Sequence, residues 1–400
     1  MDIKTTLKLS DIVSSANIAE LLTKEDLKVI GQHVVSEYEQ DLISRSDWER
    51  RTEESMKLAL QVAENKSFPW PNASNIKFPL ITIAALQYHA RSYPVLVNEH
   101  CLVRCRVYGD DKNGEKAQRA RRIEQHLTFQ CLEEDSDWED DMDRVLITQP
   151  IIGCAFKKTY YDPIKGHNVS ENILAKDLVV SYWTKSLDTA PRVTHVQWMS
   201  KNDLYERHAS GLFLELCEDR PQQVLEQRGL QAAQDKAQGL TPASKDSDQP
   251  FEIIEQHRFL DLDGDGYQEP YIVVVRRDTK QVLRIVARFF SDSVKTNAAG
   301  KIKRIVPEVY FTKYSFIPSP DGGFYDLGFG VLLGPLNESI NTIVNQLVDA
   351  GTMANTAGGF ISRGIKLRGG NYTFAPLEWK HVDTTGDDLK KGIYPLPLGS

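Results

Sequence analysis

From Leu336 onward, Ile340, Ile343, Val344, Leu347, Val348 and Ala354 recur at steps of three and four residues, the spacing of one apolar helical face. Pro335 stands at the head of the run, where its missing N–H has no partner to lose, and Gly358-Gly359 closes it. The predicted helix spans 335–357 and is about 34 Å long. Asn337, Asn341, Asn345 and Asp349 follow at successive i, i+4 positions, so a polar stripe runs along another face. Asn is a mediocre helix former, and a merely solvated face favours Lys, Glu and Gln. The stripe reads either as plain surface or as a contact face.

Elsewhere the pattern changes several times. Residues 1–23 are weakly patterned and predict a partly ordered arm. Thr23 with Glu25 and Asp26 opens a long helical region through Ile30, Val34, Tyr38 and Leu42, then Trp48, Met56 and Leu60. A proline-aromatic turn, Phe68-Pro69-Trp70-Pro71-Asn72-Ala73-Ser74-Asn75, interrupts it before a helix over 78–96. A strand over 101–108, a helix over 114–133 and an acidic helix over 136–148 come next. Alternation then predicts strands at 151–161, 177–183 and 192–199, a short helix capped by Ser200, and strands at 251–260, 271–276, 281–290 and 306–317. Residues 222–250 have few apolar anchors and predict a mobile loop towards their end, while 291–304 read as another loop.

Composition narrows the class. Four hundred residues, 41% of them hydrophobic, suffice for two or three compact units. A net charge of −8 argues against a general nucleic-acid coat but is compatible with a protein that lets DNA slide past. The five scattered cysteines have no zinc-site spacing, which favours buried thiols in a reducing compartment. Met1-Asp2-Ile3-Lys4 does not start a secretory signal, and no apolar run has the length of a membrane span.

Candidate chemistry is sparse. Asp261, Asp263 and Asp265 with Gly266 match the start of a calcium loop, but its twelfth position is Ile272 and the flanks alternate like strands, so a hairpin turn is the favoured reading. The acids around Trp138 point several ways round a helix and cannot all converge on one ion. Gly328, Gly330 and Gly334 lack the Lys-Ser/Thr of a phosphate loop, and no nucleophile elbow or zinc-protease motif occurs. The expectation is no enzyme, no catalytic residue, no cofactor and no metal.

The run Tyr325-Asp326-Leu327-Gly328-Phe329-Gly330, the Asn-bearing helix after it and the Gly-Gly-Phe exit resemble the portal proteins of tailed bacteriophages, particularly short-tailed ones. The distant Pro-Trp-Pro-Asn-Ala-Ser-Asn segment, with the helix ending Ala-Arg-Ser-Tyr-Pro, is similar to the N-terminal wing of the same family. The resemblance implies an α+β fold with an arm (1–23), a mixed wing domain (24–326), a stem helix region (327–357) and the start of an α/β clip (358–400). A second stem helix, a tunnel loop and a crown would be missing, which suggests a truncated chain.

It further implies a ring, a dodecamer by family likeness, at one capsid vertex of the virion, assembled in the host cytoplasm. Its partners would be further copies of itself, the terminase large subunit, tail adaptors, capsid and scaffolding proteins, and double-stranded DNA passing non-specifically, with no membrane. Asn337, Asn341, Asn345 and Asp349 would face the channel or the next subunit. Leu336, Ile340, Ile343, Val344, Leu347 and Val348 would pack the stem, and Phe374, Trp379 and Tyr394 would meet clip partners. The alternatives are another ring-forming connector or tail protein and a Mg²⁺-dependent enzyme acting on a nucleotide or polymer.

Overall fold

A computed structural model describes residues 5–62, 73–98, 102–217, 239–240, 248–296, 302–355, 359–361 and 393–395. The fold is mixed α+β, and the chain divides into two compact units. One joins Met1–Val62 to Pro79–Pro335, and the other joins Ala63–Phe78 to Leu336–Ser400.

The first unit is built on antiparallel sheets. Its strands are β1 (Cys154–Asp162), β2 (His167–Ile173), β3 (Leu178–Val180), β4 (Arg192–Met199), β5 (Phe251–Leu260), β6 (Glu269–Arg276), β7 (Gln281–Ala287), β8 (Val294–Thr296), β9 (Ile302–Ile305) and β10 (Phe311–Ser315). Five of them form a sheet in the order β3-β4-β5-β6-β7, while β10-β1-β2 form a second and β8-β9 a small third. Strand β6 is buried along its whole length, as its run Tyr-Ile-Val-Val-Val requires.

Helix Lys24–Ser44 lays Ile30, Val34 and Tyr38 on the five-stranded sheet, against Ile254, Tyr271, Val273 and Val275. Thr23 caps it by accepting from the Asp26 N–H at 3.2 Å. A second core, around Trp48, Ile81, Phe156, Leu178, Phe311 and Phe324, lies under the β10-β1-β2 sheet. Helices Ser46–Ala59, Leu80–Leu96 and Trp138–Ile152 contribute to it.

Several expectations need correction. The stretch expected to be a partly ordered arm is packed into the first core through Ile12, Ile18 and Ala19. Asn17 is the reason: its Nδ2 donates to the Leu283 carbonyl at 3.1 Å, and its Oδ1 accepts from the Ile285 N–H at 3.1 Å. One side chain thus satisfies backbone groups of β7, the edge strand of the sheet.

No strand forms among the described residues of 101–108. The run 291–304 expected as a loop contains β8 and β9, and β2 was not foreseen because only Val169 and Ile173 of it are fully buried. The loop at 222–250 lies mostly outside the described residues.

Candidate functional site

The Tyr-Asp-Leu-Gly-Phe-Gly run that carries the family resemblance is a knot in the first unit. Tyr325 stacks on Trp48 with ring centroids 4.1 Å apart, and its hydroxyl accepts from Arg45. Arg45 also donates to the carbonyls of Ala175, Lys176 and Leu178, so one buried guanidinium ties a helix end to the segment entering β3. Asp326 pairs with Lys313 of β10 at 2.7 Å.

Gly328 passes so close to Ile151 that an added Cβ would lie 2.3 Å from its carbonyl oxygen. Gly153, at φ +111°, has the same relation to the Asp326 carbonyl. The glycines are therefore spent on a close backbone crossing, not on cradling a phosphate.

From this knot the helix Phe329–Asn355 emerges. It begins before Pro335, which lies inside it. Phe329 packs edge-on against Phe316 at 4.9 Å, and Gly330 lies against Ser55, and this packing outweighs the hydrogen bond that proline omits.

The second unit explains the polar stripe. Along a helix, four residues advance about 6 Å, close to the advance of two residues in an extended chain. Asp349, Asn345 and Asn341 therefore match Ser74, Ile76 and Phe78 in antiparallel order. The Ser74 N–H donates to Asp349 Oδ1 at 2.8 Å, the Ile76 N–H to Asn345 Oδ1 at 2.7 Å, and the Phe78 N–H to Asn341 Oδ1 at 2.6 Å. Asn345 Nδ2 returns a bond to the Ile76 carbonyl at 3.1 Å, and the Ser74 hydroxyl donates to Asn345 Oδ1 at 2.8 Å. Helix side chains here perform the task of a neighbouring strand.

Within the single chain it is the polar face that is covered and the apolar face that is open. Asn337, Asn341, Asn345 and Asp349 are buried, and the last three are engaged by their own chain instead of facing a channel or a neighbour. Leu336, Ile343, Leu347 and Val348, expected to be packed, are exposed, Leu347 by 68%. Ile340 and Val344, on the same side, are half-buried. The physical reason is that the backbone amides of an extended segment compete for the polar face more effectively than water does. Among the described residues, nothing covers Leu336, Ile343, Leu347 and Val348 of the apolar face.

Of the clip candidates, Phe374 and Trp379 lie outside the described residues. Tyr394 belongs to strand β12 (Ile393–Pro395), paired with Phe360 of β11 (Gly359–Ile361).

The most enzyme-like constellation was not foreseen. Lys158 of β1 reaches Glu255 of β5 at 2.8 Å, both buried, and His257 bonds the other carboxylate oxygen at 2.9 Å. Gln197 completes the set by donating to Glu255 Oε2. Burial opposes the charged form of Glu255, but Lys158 and His257 outweigh it and hold its pKa well below the usual range. Burial lowers His257 to about 4 and, with Lys158 adding to it, His195 to about 3. A cavity of about 320 Å³ opens beside the pair. Both oxygens of Glu255 are engaged, so the arrangement ties two sheets together and leaves no free base on that carboxylate.

No family model matches the chain, and no curated protein matches it. Among the described residues, no helix is long and apolar enough to cross a membrane.

Proposed function

We propose that the chain is a portal subunit, a head-to-tail connector that assembles with copies of itself into a ring at one vertex of a phage capsid. The observation that carries the reading is the exposed stripe Leu336, Ile343, Leu347 and Val348, on a long helix whose polar face is already occupied. A contiguous apolar helix face is a surface to be covered, and neighbouring copies presenting the same helix would cover it.

The resemblance adds independent support. Its two sequence segments, around Ala73-Ser74-Asn75 and on the stem helix, are more than two hundred residues apart and meet through the Ser74 bonds to Asn345 and Asp349. In this role the ring would admit DNA during packaging and release it at infection. It would dock the terminase large subunit and tail adaptors, within a virion built in the host cytoplasm. The work is mechanical and needs no catalytic residue.

The experiment is substitution of the exposed face. Leu347→Glu should abolish higher assembly while leaving the monomer's melting temperature unchanged within a degree or two, because exposed substitutions cost about 0.5 kcal/mol or less. Assembly that survives both Leu347→Glu and Ile343→Glu would refute the proposal.

A further inference from the structure

The turn between β5 and β6 runs Asp261-Leu262-Asp263-Gly264-Asp265-Gly266-Tyr267-Gln268-Glu269. Asp261, Asp263 and Asp265 stand at the first, third and fifth positions of a calcium loop, with Gly266 sixth. The twelfth-position glutamate is absent. The fold supplies a substitute, because the strands close the turn so that Leu260 pairs with Glu269 and returns the ninth residue to the base of the loop.

One oxygen from each of Asp261, Asp263, Asp265 and Glu269 lies within 4.8 Å of the others. Gly264 and Gly266, at φ +74° and +87°, make the reversals that bring them together. Several of these oxygens also accept from loop amides, as Asp261 does from Gly264 and Gly266, and such bonds alone would explain a turn.

Glu269 is the feature they do not explain. It is fully buried, yet its Oε1 has no hydrogen-bond partner among the described residues, while Oε2 accepts from Tyr271 and Leu262. An unpaired carboxylate oxygen in the interior is costly. Its position beside three aspartates makes a neighbouring carboxylate unfit to relieve it, and a hard divalent cation fit to do so.

We propose that this hairpin binds one Ca²⁺ through Asp261, Asp263, Asp265 and Glu269. All donors are oxygen, as Ca²⁺ prefers, and an all-protein carboxylate set on a loop suits its tolerant geometry better than the strict octahedron of Mg²⁺. The ion would also secure the N-terminal stretch. The Leu7 N–H donates to the Leu262 carbonyl at 2.8 Å, and Thr6 lies against Gly264. The assignment is independent of the portal reading.

Isothermal titration of the full chain with CaCl₂, after dialysis against chelator, tests it. The expected result is one saturable site per chain, a melting temperature that rises with calcium, and slower amide exchange at Leu7. Glu269→Gln should remove the site. Asp265→Asn, at an exposed position and keeping an acceptor for the Tyr267 N–H, should weaken it about tenfold or more by removing one charge. Absence of saturable heat in the wild type at calcium on the order of millimolar, the weak end of calcium-loop affinities, would overturn the proposal. Calcium responses retained by both variants would do the same.

Discussion

Replacing Asn345 by Ala tests whether the polar stripe holds Ala73–Phe78 in place. The side chain accepts from the Ile76 N–H and the Ser74 hydroxyl and donates to the Ile76 carbonyl, at 2.7, 2.8 and 3.1 Å. Alanine removes all three bonds at once. Each part-buried group left without a partner costs about 1 kcal/mol, so the segment should be loosened by about 3 kcal/mol. At about 1.4 kcal/mol per factor of ten, its opening equilibrium should rise by roughly a hundredfold.

Hydrogen exchange read at Ile76 and Phe78 is the assay, because local opening exposes those amides without global unfolding. Asp349→Asn is the companion. It keeps an acceptor for the Ser74 N–H and should accelerate exchange much less. Exchange at Ile76 unchanged in Asn345→Ala would refute the account of the stripe.

Other outcomes follow from the same geometry. Gly328→Ala should destabilise the first unit by about 3 kcal/mol or more, since its Cβ meets backbone on every near side, whereas Gly351→Ala, with nothing among the described residues within 4 Å, should stabilise the helix by up to about 1 kcal/mol; thermal melts compare them. The histidines set a pH dependence. His257 binds its proton at about 4 when folded and at its ordinary 6.5 when unfolded, so between those values the unfolded chain holds more protons and stability falls as pH drops. From pH 7 to pH 5 His257 alone should cost about 2 kcal/mol, and denaturant titrations of the wild type and His257→Gln should differ in that slope.

Much of the first unit was legible in the sequence because its strands alternate or run apolar in the way sheets require. Phe251–Leu260 and Arg192–Met199 form where the pattern puts them, and Ser200 caps its helix through a reciprocal bond with Asp203. The N-terminal stretch was misread because its decisive residue is polar. Nothing local marks Asn17 as an edge-strand partner.

The long helix shows the same limit more sharply. Periodicity separated its two faces but could not assign them, since apolar faces are buried by default. Which face is buried depended on the backbone amides of Ser74, Ile76 and Phe78, far away in the chain, which bond to the polar stripe. Glu269 was passed over because an EF-hand pattern looks to the twelfth position, whereas a hairpin returns the ninth. The Lys158–Glu255–His257 set joins different sheets and has no signature in sequence at all.

Native mass spectrometry of the purified chain, with negative-stain imaging of the same sample, distinguishes a ring from a lone subunit. Closed rings of one subunit number with a central pore are expected, lost in Leu347→Glu. A wild-type chain that stays monomeric at micromolar concentration, with Leu347 and Ile343 still open to solvent in hydrogen-exchange or footprinting experiments, would contradict it.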